Sequence, residues 1–421
     1  MKSKTMRHTF LVSVILFWQF QVQAQDSAHF SLNRILNQVE ANDPSILKYQ
    51  NVIQSLDSKA EGANAWMPPT FSTGLMRFPY QLIMLNERNN PMNQAGIPFS
   101  IEQMIPNARK LKSKKNYLNS LSDVENSKRQ WTKNERRREV KILYYTRYVA
   151  EKKQIILQES AGLLKLLLST AEEKFSNNQS QLQTIFKARG RLAEINNMQL
   201  MLKGTISESN IGLNVMMVRD VNAEIRIDTL ITPEFYSDKT VDTGNVSSRS
   251  DIAGMSKYIQ SMQLEQKVMK LGYKPDFGIR GEHAIMFGMP NQWTIMGMVT
   301  IPIVPWSSKM YLSETKSMGF QIQAMQQEKQ KMELMANRMI AEKNSMLRFE
   351  TDQYHNYQKE IIPAFKNSLQ ANMLAYKQNT GDFFLLLDAW EMLLMKKLET
   401  FDKLFTVLKL EAEYEYEKEI K

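Results

Sequence analysis

Apolar residues recur at helical spacing along most of the chain, and two short windows break this pattern. The helical stretches are rich in Glu, Lys, Gln, Leu and Met and poor in Gly and Pro, a composition that favours long helices. The windows at residues 66–106 and 273–305 contain Pro, Gly and aromatic residues, with alternation suited to β-strands. The pattern predicts a mostly α-helical protein with two β-hairpins.

The two halves of the chain carry these features in the same order. PTF at residues 69–71 opens the first window, and PDF at residues 275–277 opens the second. A long helical run follows each window and ends in a turn, which begins near Lys174 in the first half and near Ala375 in the second. Because the matching features lie about 200 residues apart throughout, we predict an internal tandem repeat.

The predicted organisation follows from this repeat. Residues 1–24 form a signal peptide, residues 25–236 the first repeat, residues 237–251 a polar linker and residues 252–421 the second repeat. The first repeat contains helices, a hairpin at about 69–105, a long helix at about 108–174, a tip at 175–183 and a further helix. The second contains a helix, a hairpin at about 275–304, a long helix at about 307–376, a tip at 377–384 and a further helix.

The N-terminus has the pattern of a secretory signal peptide. Lys2, Lys4 and Arg7 precede an apolar stretch from residue 10 to residue 20, and Ala24 ends a cleavage motif. A short uncleaved anchor is the alternative. The signal peptide predicts an exported protein. Because the chain contains no Cys, we expect this protein to have neither disulfides nor a cysteine-linked lipid anchor.

Alternation in the second window gives its two strands one apolar and one polar face. Ile279 and Ile295 lie on the apolar side, with Arg280 and Glu282 on the other. Strands of about 11 residues are long enough to cross a bilayer at a tilt, although a soluble hairpin packed on a helix would alternate in the same way. Open sheet edges do not occur in lipid, and four strands cannot close alone. Membrane-spanning strands would therefore require several chains to build one barrel.

Composition and charge narrow the possible functions. Only 43% of residues are hydrophobic and the mean hydropathy is −0.41, which argues against a polytopic helical membrane protein. The net charge is +10, with basic clusters at 109–115 and 133–141 that predict solvated helix faces or contacts with anionic lipid phosphates. Export argues against a nucleic-acid partner. No motif of a hydrolase, a metalloprotease or a phosphate-binding loop occurs, so we predict no enzyme activity and no cofactor.

Methionine recurs every seven residues, at positions 318, 325, 332, 339 and 346. Neighbouring positions would lie about 10 Å apart along a helix, too far to share one metal ion. A seven-residue repeat instead predicts a seam that packs against other helices. Thioethers suit Cu(I) and Ag(I), but the 28 methionines are scattered. A metal role would require rings of symmetry-related sulfurs around a lumen, so we predict no metal site within one chain.

An exported, cysteine-free chain that repeats hairpin, long helix, turn and helix resembles the TolC-type outer-membrane efflux family (outer membrane factors). The resemblance covers nearly all of the chain after the signal peptide. It rests on the repeated Pro-x-Phe openings, on PW at residues 305–306 before the second long helix, and on the turn phrases TIFKA at 184–188 and LLDA at 386–389. The segments IEQMIPNARKLK and TGDFFLLLDAWEMLL look closest to the heavy-metal (copper/silver) cation efflux branch.

The resemblance implies a homotrimer in the outer membrane of a Gram-negative bacterium, extending into the periplasm. Twelve strands, four per chain, would form a transmembrane β-barrel, continued by an α-helical coiled-coil barrel. The helical tips would contact a periplasmic adaptor (membrane fusion protein) and an inner-membrane pump, with the RND type expected. The implied function is a passive duct for heavy-metal cations or drugs. The outer-membrane component of a type I protein secretion system and a soluble periplasmic coiled-coil scaffold are the alternatives.

The resemblance also assigns site residues. Arg280 and Glu282 would line the barrel lumen, and the gate or lumen candidates at the tips are Asp388, Asp382, Gln181 and Thr184. Leu385 stands where some members have a second Asp; Asp382 would replace it one turn away, unless it serves only as a helix cap. The family usually has Gly where Asn178 and Asn379 stand, and Asn tolerates the same left-handed backbone; Gly381 is expected to share this role. The candidate adaptor contacts are Phe175, Asn178, Ala188, Tyr376, Asn379, Gly381 and Ala389.

Overall fold

The computed structural model describes residues 29–176, 182–234, 246–302 and 304–420. The predicted signal peptide at residues 1–24 and linker residues 237–245 lie outside the described residues. Within the described ranges, no helix is both long enough and apolar enough to cross a membrane.

Helices occupy most of the described chain, as the spacing of apolar residues predicts. Their bounds are α1 Leu32–Asn42, α2 Pro44–Gly62, α3 Ala108–Ser176, α4 Leu182–Met216, α5 Ser250–Leu271, α6 Pro305–Asn356, α7 Ile362–Lys377 and α8 Phe383–Lys418. Short 3-10 turns occur at Leu82–Asn86 and Val246–Ser248.

A π-helical turn at Tyr357–Ile361 joins α6 to α7, so the backbone stays helical from Pro305 to Lys377. Pro363 follows this turn. Proline has no N–H to donate, and its ring would clash with the carbonyl four residues earlier in a regular α-helix. The wider π turn accommodates it without ending the helix.

One four-stranded antiparallel sheet unites the two strand windows. Its strands are β2 Thr70–Thr73, β3 Gly96–Ile105, β5 Asp276–Met286 and β6 Gln292–Thr300, in the order β2-β3-β5-β6. Strand β3 pairs with β5 from Gly96↔Met286 to Ile105↔Phe277. A separate two-stranded parallel sheet pairs β1 His29–Phe30 with β4 Arg226–Ile227.

Strand β2 is much shorter than its partners, with four residues. Beyond Thr73 the pairing with β3 continues only as an isolated bridge between Met76 and Gly96. Arg77 then adopts a φ of 51°, in the left-handed region, which an extended strand does not contain. The outer strand of the first hairpin is therefore interrupted at Arg77, two residues before Pro79.

The chain forms two compact units. Unit one comprises Met1–Asp43, Arg137–Asp238 and Met346–Glu413, and unit two comprises Pro44–Arg136, Lys239–Ser345 and Tyr414–Lys421. Each unit takes segments from both halves of the sequence, because α3, α6 and α8 each contribute to both units. The units therefore do not coincide with the predicted repeats.

Unit one has a core around Tyr144, which is fully buried on α3. The Tyr144 hydroxyl donates to the Asp228 carboxylate at 2.9 Å and accepts from the Asp228 backbone N–H at 3.0 Å. Burial, more than the neighbouring carboxylate, raises the pKa of the Tyr144 phenol. These contacts fix the segment after β4 against α3.

The prediction that the seven-residue methionine series forms a packed seam is only partly correct. Met318 is 8% exposed and packs with Ile322, but Met346 is 54% exposed. The buried apolar residues towards the end of this helix are Ile340 and Leu347, which are also seven residues apart but lie one position after Met339 and Met346. A seven-residue stripe drifts by about 20° per repeat on a straight helix. The methionine positions therefore rotate out of the packed face.

Candidate functional site

The sheet has one exposed apolar face. Alternate residues of the four strands form it, and we call the following set the apolar face: Phe71, Phe99, Ile101, Phe277, Ile279, Ile285, Trp293, Ile295 and Val299. Trp293 and Ile295 on β6 are the most exposed members, at 74% and 68%. Ile295 pairs with Gly281, and Ile279 with Gly297, so the predicted grouping of the two isoleucines on one face is correct.

The opposite face of the sheet is polar. Arg280 and Glu282 lie there and form an ion pair at 3.0 Å, with the Arg280 guanidinium donating. Next to them the hydroxyl oxygens of Ser72 and Ser100 are 2.6 Å apart. Both members of the predicted lumen pair thus share the face opposite the apolar residues.

Both edges of the sheet lack a neighbour within the described residues. Strand β2 pairs only with β3, and β6 pairs only with β5. Every residue of β6 except Met298 is exposed. Each edge therefore presents a row of backbone N–H and C=O groups that another strand could pair with.

The tip between α7 and α8 is built by a Schellman motif at the end of α7. Asn379 has a φ of 59°, the left-handed conformation that ends such helices. Its N–H donates to the Tyr376 carbonyl at 3.2 Å, and the Thr380 N–H donates to the Ala375 carbonyl at 3.0 Å. The expected tolerance of Asn for this backbone is confirmed at Asn379.

Gly381 has a different role from the one predicted. Its φ is not positive, so it does not share the left-handed position with Asn379. A Cβ added at Gly381 would lie 2.9 Å from the Ala375 Cβ and 3.2 Å from the Tyr376 backbone nitrogen. Glycine is needed here because the chain passes close to the last turn of α7.

Asp382 is the N-cap of α8. Its Oδ1 accepts from the Phe384 N–H at 3.2 Å, and its carbonyl accepts from the Leu386 N–H at 3.3 Å. The carboxylate is exposed. Burial, followed by the charge of Asp382, raises the pKa of the Tyr376 phenol.

Lys174 links the two tips within unit one, a contact that the sequence analysis missed. Its Nζ donates to the Asn379 Oδ1 at 2.6 Å and to the Tyr376 carbonyl at 2.8 Å. It also lies 4.0 Å from the centre of the Tyr376 ring. Lys174 lies in the last turn of the first long helix. Its partners are about 200 residues away in the sequence, so the contact becomes apparent only when the two turns are seen side by side in the structure.

Several predicted tip residues are buried within the protomer. Ala188 is 0%, Tyr376 5% and Ala389 7% exposed, and Ala188 and Ala389 belong to one apolar core with Leu386. They cannot contact a partner directly in this conformation, and their role is to pack the tip helices together. Thr184 is 7% exposed and so does not face an open lumen.

The remaining tip residues are exposed or lie outside the described residues. Phe175 is 39% exposed and Phe186, which was not singled out from the sequence, is 59% exposed. Asn178 and Gln181 lie outside the described residues.

Asp388 lies on an exposed stripe of α8. The stripe consists of Leu385, Asp388, Met392 and Met395, which are spaced three, four and three residues apart on one face of the helix. Within the described part of the chain, the Asp388 carboxylate has no hydrogen bond or ion pair. No cluster of three or more metal-ligating His, Asp or Glu side chains occurs among these described residues either.

Comparison with known proteins finds matches among solved structures but not among family models or curated sequences. No protein-family model matches the sequence, and no curated protein matches it. Solved structures match over nearly the whole chain. CusC, described in a study of folding and transmembrane channel formation, has a TM-score of 0.75 at 11% identity, with 92% of this chain and 91% of CusC covered.

Two further outer-membrane proteins give similar values. The outer-membrane channel OprN has a TM-score of 0.73 at 12% identity, covering 92% of this chain and 89% of OprN. The outer membrane protein VceC from Vibrio cholerae has a TM-score of 0.72 at 11% identity, covering 92% of this chain and 95% of VceC. The hairpins, the long helices and the tips described above therefore assemble into the fold of the TolC-type outer-membrane efflux channels.

Proposed function

We propose that the chain is the outer-membrane channel of a tripartite efflux system. Three copies form a passive duct that spans the outer membrane of a Gram-negative bacterium and extends into the periplasm. The duct receives substrates from an inner-membrane pump, with the RND type expected, through a periplasmic adaptor. No step in this function requires a catalytic residue or a cofactor.

The observation that carries this proposal is the apolar face of the four-stranded sheet. Its aromatic and branched side chains are exposed in one protomer, and a contiguous apolar surface of this kind indicates a membrane or protein contact. The ion pair of Arg280 and Glu282 lies on the opposite face. This division matches a barrel strand that is apolar towards lipid and polar towards a lumen.

The unpaired edges of β2 and β6 support assembly from several copies. In lipid, unpaired backbone groups cost several kcal/mol each, so a membrane sheet must close. Pairing β6 of one copy with β2 of the next would remove every edge. Three copies of the four strands give twelve strands, a number within the range of known outer-membrane barrels, about 8–26.

We assign the adaptor contact to the exposed parts of the tips. Phe175, Phe186 and Asn379 present side chains to solvent, whereas Ala188 and Ala389 act indirectly by packing the helices beneath them. The matched positions of the two tips fit an origin by tandem repeat, which would give an adaptor two related contact surfaces per protomer.

We place the gate at the exposed stripe of α8. Three apolar residues share this stripe with Asp388, whose carboxylate has no partner among the described residues, and symmetry-related copies would bring them together near the threefold axis. A ring of carboxylates there would attract cations. Asp382 is the second acidic candidate, although its capping bond already accounts for its position.

Heavy-metal cations and drugs remain the proposed substrate classes. A passive duct has few contacts specific to its cargo, so the pump is expected to select the substrate. Among the methionines of the seven-residue series, Met339 and Met346 are exposed in the protomer, so their thioethers are open to a soft cation.

Two substitutions on opposite faces of the sheet test the proposal. Ile295→Arg places a charge on the apolar face near the middle of β6, where Lys or Arg costs about 2–4 kcal/mol at the bilayer midplane. Glu282→Gln changes the polar face without changing its shape. We expect Ile295→Arg to reduce SDS-resistant trimer in the outer-membrane fraction and Glu282→Gln to leave it near the wild-type level.

Protein synthesis and export are controlled by measuring total and periplasmic protein for each variant. Equal trimer from both variants would show that the apolar face does not contact lipid. A wild-type chain that stays soluble in the periplasm would instead favour the coiled-coil scaffold.

A further inference from the structure

A cavity of about 550 Å³ lies within unit two, between α2, α3 and α5. One aromatic residue from each helix lines it: Tyr49, Trp131 and Tyr258. Val124 and Met255 add apolar surface. Its volume is in the range of small-molecule sites, about 300–1,000 Å³.

Among the described residues, the charged side chains that line the cavity are paired, with one exception. Lys128 binds Glu125 at 2.7 Å, and Asp251 binds Arg249 at 3.0 Å. Glu135 also lines the cavity, and it has no hydrogen bond or ion pair within the described residues. Its side chain is half-buried. The cavity therefore carries one uncompensated negative charge, which an incoming cation would neutralise.

The walls of the cavity are held in place by contacts of their own. An added Cβ at Gly254 would lie 3.1 Å from the Ser127 Cβ, so α5 and α3 are in close contact beside the cavity. The Thr132 hydroxyl donates to the Tyr49 hydroxyl at 3.3 Å. Such a preformed site avoids much of the ordering cost of binding.

Trp131 is held by two further contacts. The Arg249 guanidinium lies over its ring, 4.8 Å from the centre, and the centre of the Tyr416 ring is also 4.8 Å away. Arg249 is itself buried and binds Glu417 at 2.9 Å. The indole is therefore fixed in position as part of the apolar wall of the cavity.

We propose that this cavity binds a monovalent organic cation that carries aromatic or bulky apolar groups. The three aromatic residues provide apolar contact area. Lys48 already lies over the Tyr49 ring and Arg249 over the Trp131 ring, so Tyr258 is the lining ring that attracts the positive charge of the ligand. The Glu135 carboxylate supplies the negative charge that balances the positive charge of the ligand. The site lies within one protomer and is formed by residues of one unit, so it does not depend on the proposed duct.

Two ions of nearly the same shape and opposite charge test the proposal: tetraphenylphosphonium and tetraphenylborate. The full chain, reconstituted in nanodiscs, is labelled with 5-fluorotryptophan, and its ¹⁹F spectrum is followed during titration. The Trp131 resonance is assigned by its loss in Trp131→Phe. We expect tetraphenylphosphonium to shift this resonance in a saturable way, and tetraphenylborate to bind at least about tenfold more weakly.

Glu135→Gln keeps the shape of the side chain and removes its charge. We expect this change to weaken tetraphenylphosphonium binding by about tenfold and to narrow the difference between the two ions. Glu328→Gln is the matched control, because Glu328 on α6 is half-buried like Glu135 but lies outside the cavity and pairs with Lys331 at 3.1 Å. It should bind the cation as the wild type does.

Three results would overturn the proposal. Equal binding of both ions would show that apolar contact alone fills the cavity. Unchanged cation binding in Glu135→Gln would remove the carboxylate from the site. The absence of a saturable Trp131 shift would show that the cavity is closed to ligands, which is also the result expected if a second copy of the chain covers it.

Discussion

Replacing Asn379 tests how the tip of unit one is held in shape. Asn379→Ala keeps a Cβ but removes the side-chain amide, whereas Asn379→Gly removes both. The wild-type residue has a φ of 59°, and its Oδ1 accepts from Lys174 Nζ at 2.6 Å. The two variants therefore separate the backbone conformation from the contact with Lys174.

The expected magnitudes follow from these two contributions. A left-handed conformation costs an ordinary L-residue roughly 1–2 kcal/mol, and an exposed charged contact contributes about 0.2–1 kcal/mol. Asn379→Ala introduces the cost of the left-handed conformation and also loses the contact, so it should destabilise the tip by roughly 1.2–3 kcal/mol. Asn379→Gly loses only the contact and should cost at most about 1 kcal/mol. Lys174→Met, which keeps an apolar side chain of similar reach, should resemble Asn379→Gly.

Amide hydrogen exchange is the appropriate assay, because a local opening need not change global unfolding. The Thr380 and Gly381 N–H groups both donate to the Ala375 carbonyl, at 3.0 and 3.1 Å, so their protection reports the intact motif. A loss of about 1.4 kcal/mol lowers a protection factor tenfold. We expect roughly ten- to hundredfold faster exchange at Thr380 in Asn379→Ala, and no more than about fivefold in Asn379→Gly.

Equal exchange in the Ala and Gly variants would refute the argument from backbone conformation. Wild-type exchange in Asn379→Ala would mean that the Schellman motif does not hold the tip at all. If Lys174→Met were the most damaging change, the link between the two tips, and not the backbone of Asn379, would be the main source of stability.

Substitutions at three further positions test other parts of the structure. Gly381→Ala should loosen the same tip by about 1–3 kcal/mol, because the new Cβ meets the last turn of α7; wild-type exchange at Thr380 would contradict this. Asp388→Asn, in assembled protein in planar bilayers, should lower cation selectivity and weaken block by hexamminecobalt, and unchanged values would remove Asp388 from the lumen. Met325→Leu should cost less than about 1.5 kcal/mol and preserve assembly, whereas Met325→Asp should impair it; loss of copper or silver resistance with normal assembly in Met325→Leu would indicate a metal path.

Periodicity predicted the elements well, because a long helix or an alternating strand repeats one physical constraint over many residues. The grouping of Ile279 with Ile295, opposite Arg280, follows directly from the two-residue period of a strand. The turn chemistry was equally local, since the left-handed residue at Asn379 needs only its own backbone preference.

The contacts that could not be predicted from the sequence depend on the geometry between segments that are far apart in the chain. Lys174 meets Asn379 only when two helix ends from opposite halves of the chain come together. Gly381 is required because a side chain there would lie too close to Ala375, and this distance cannot be read from the sequence. The methionine spacing was misleading for a related reason. A seven-residue stripe predicts a seam only if the helix supercoils to follow it, and the buried residues Ile340 and Leu347 lie one position after the methionines.

The central claim is that copies of this chain close their sheets into one barrel in the outer membrane. Heat-modifiable gel migration of membrane fractions tests it most directly. We predict that the chain is found in the outer-membrane fraction and runs as an SDS-resistant trimer. On boiling it becomes a monomer below the 49.0 kDa of the full chain, because the signal peptide has been removed. A soluble periplasmic species with the same migration before and after boiling would contradict the claim.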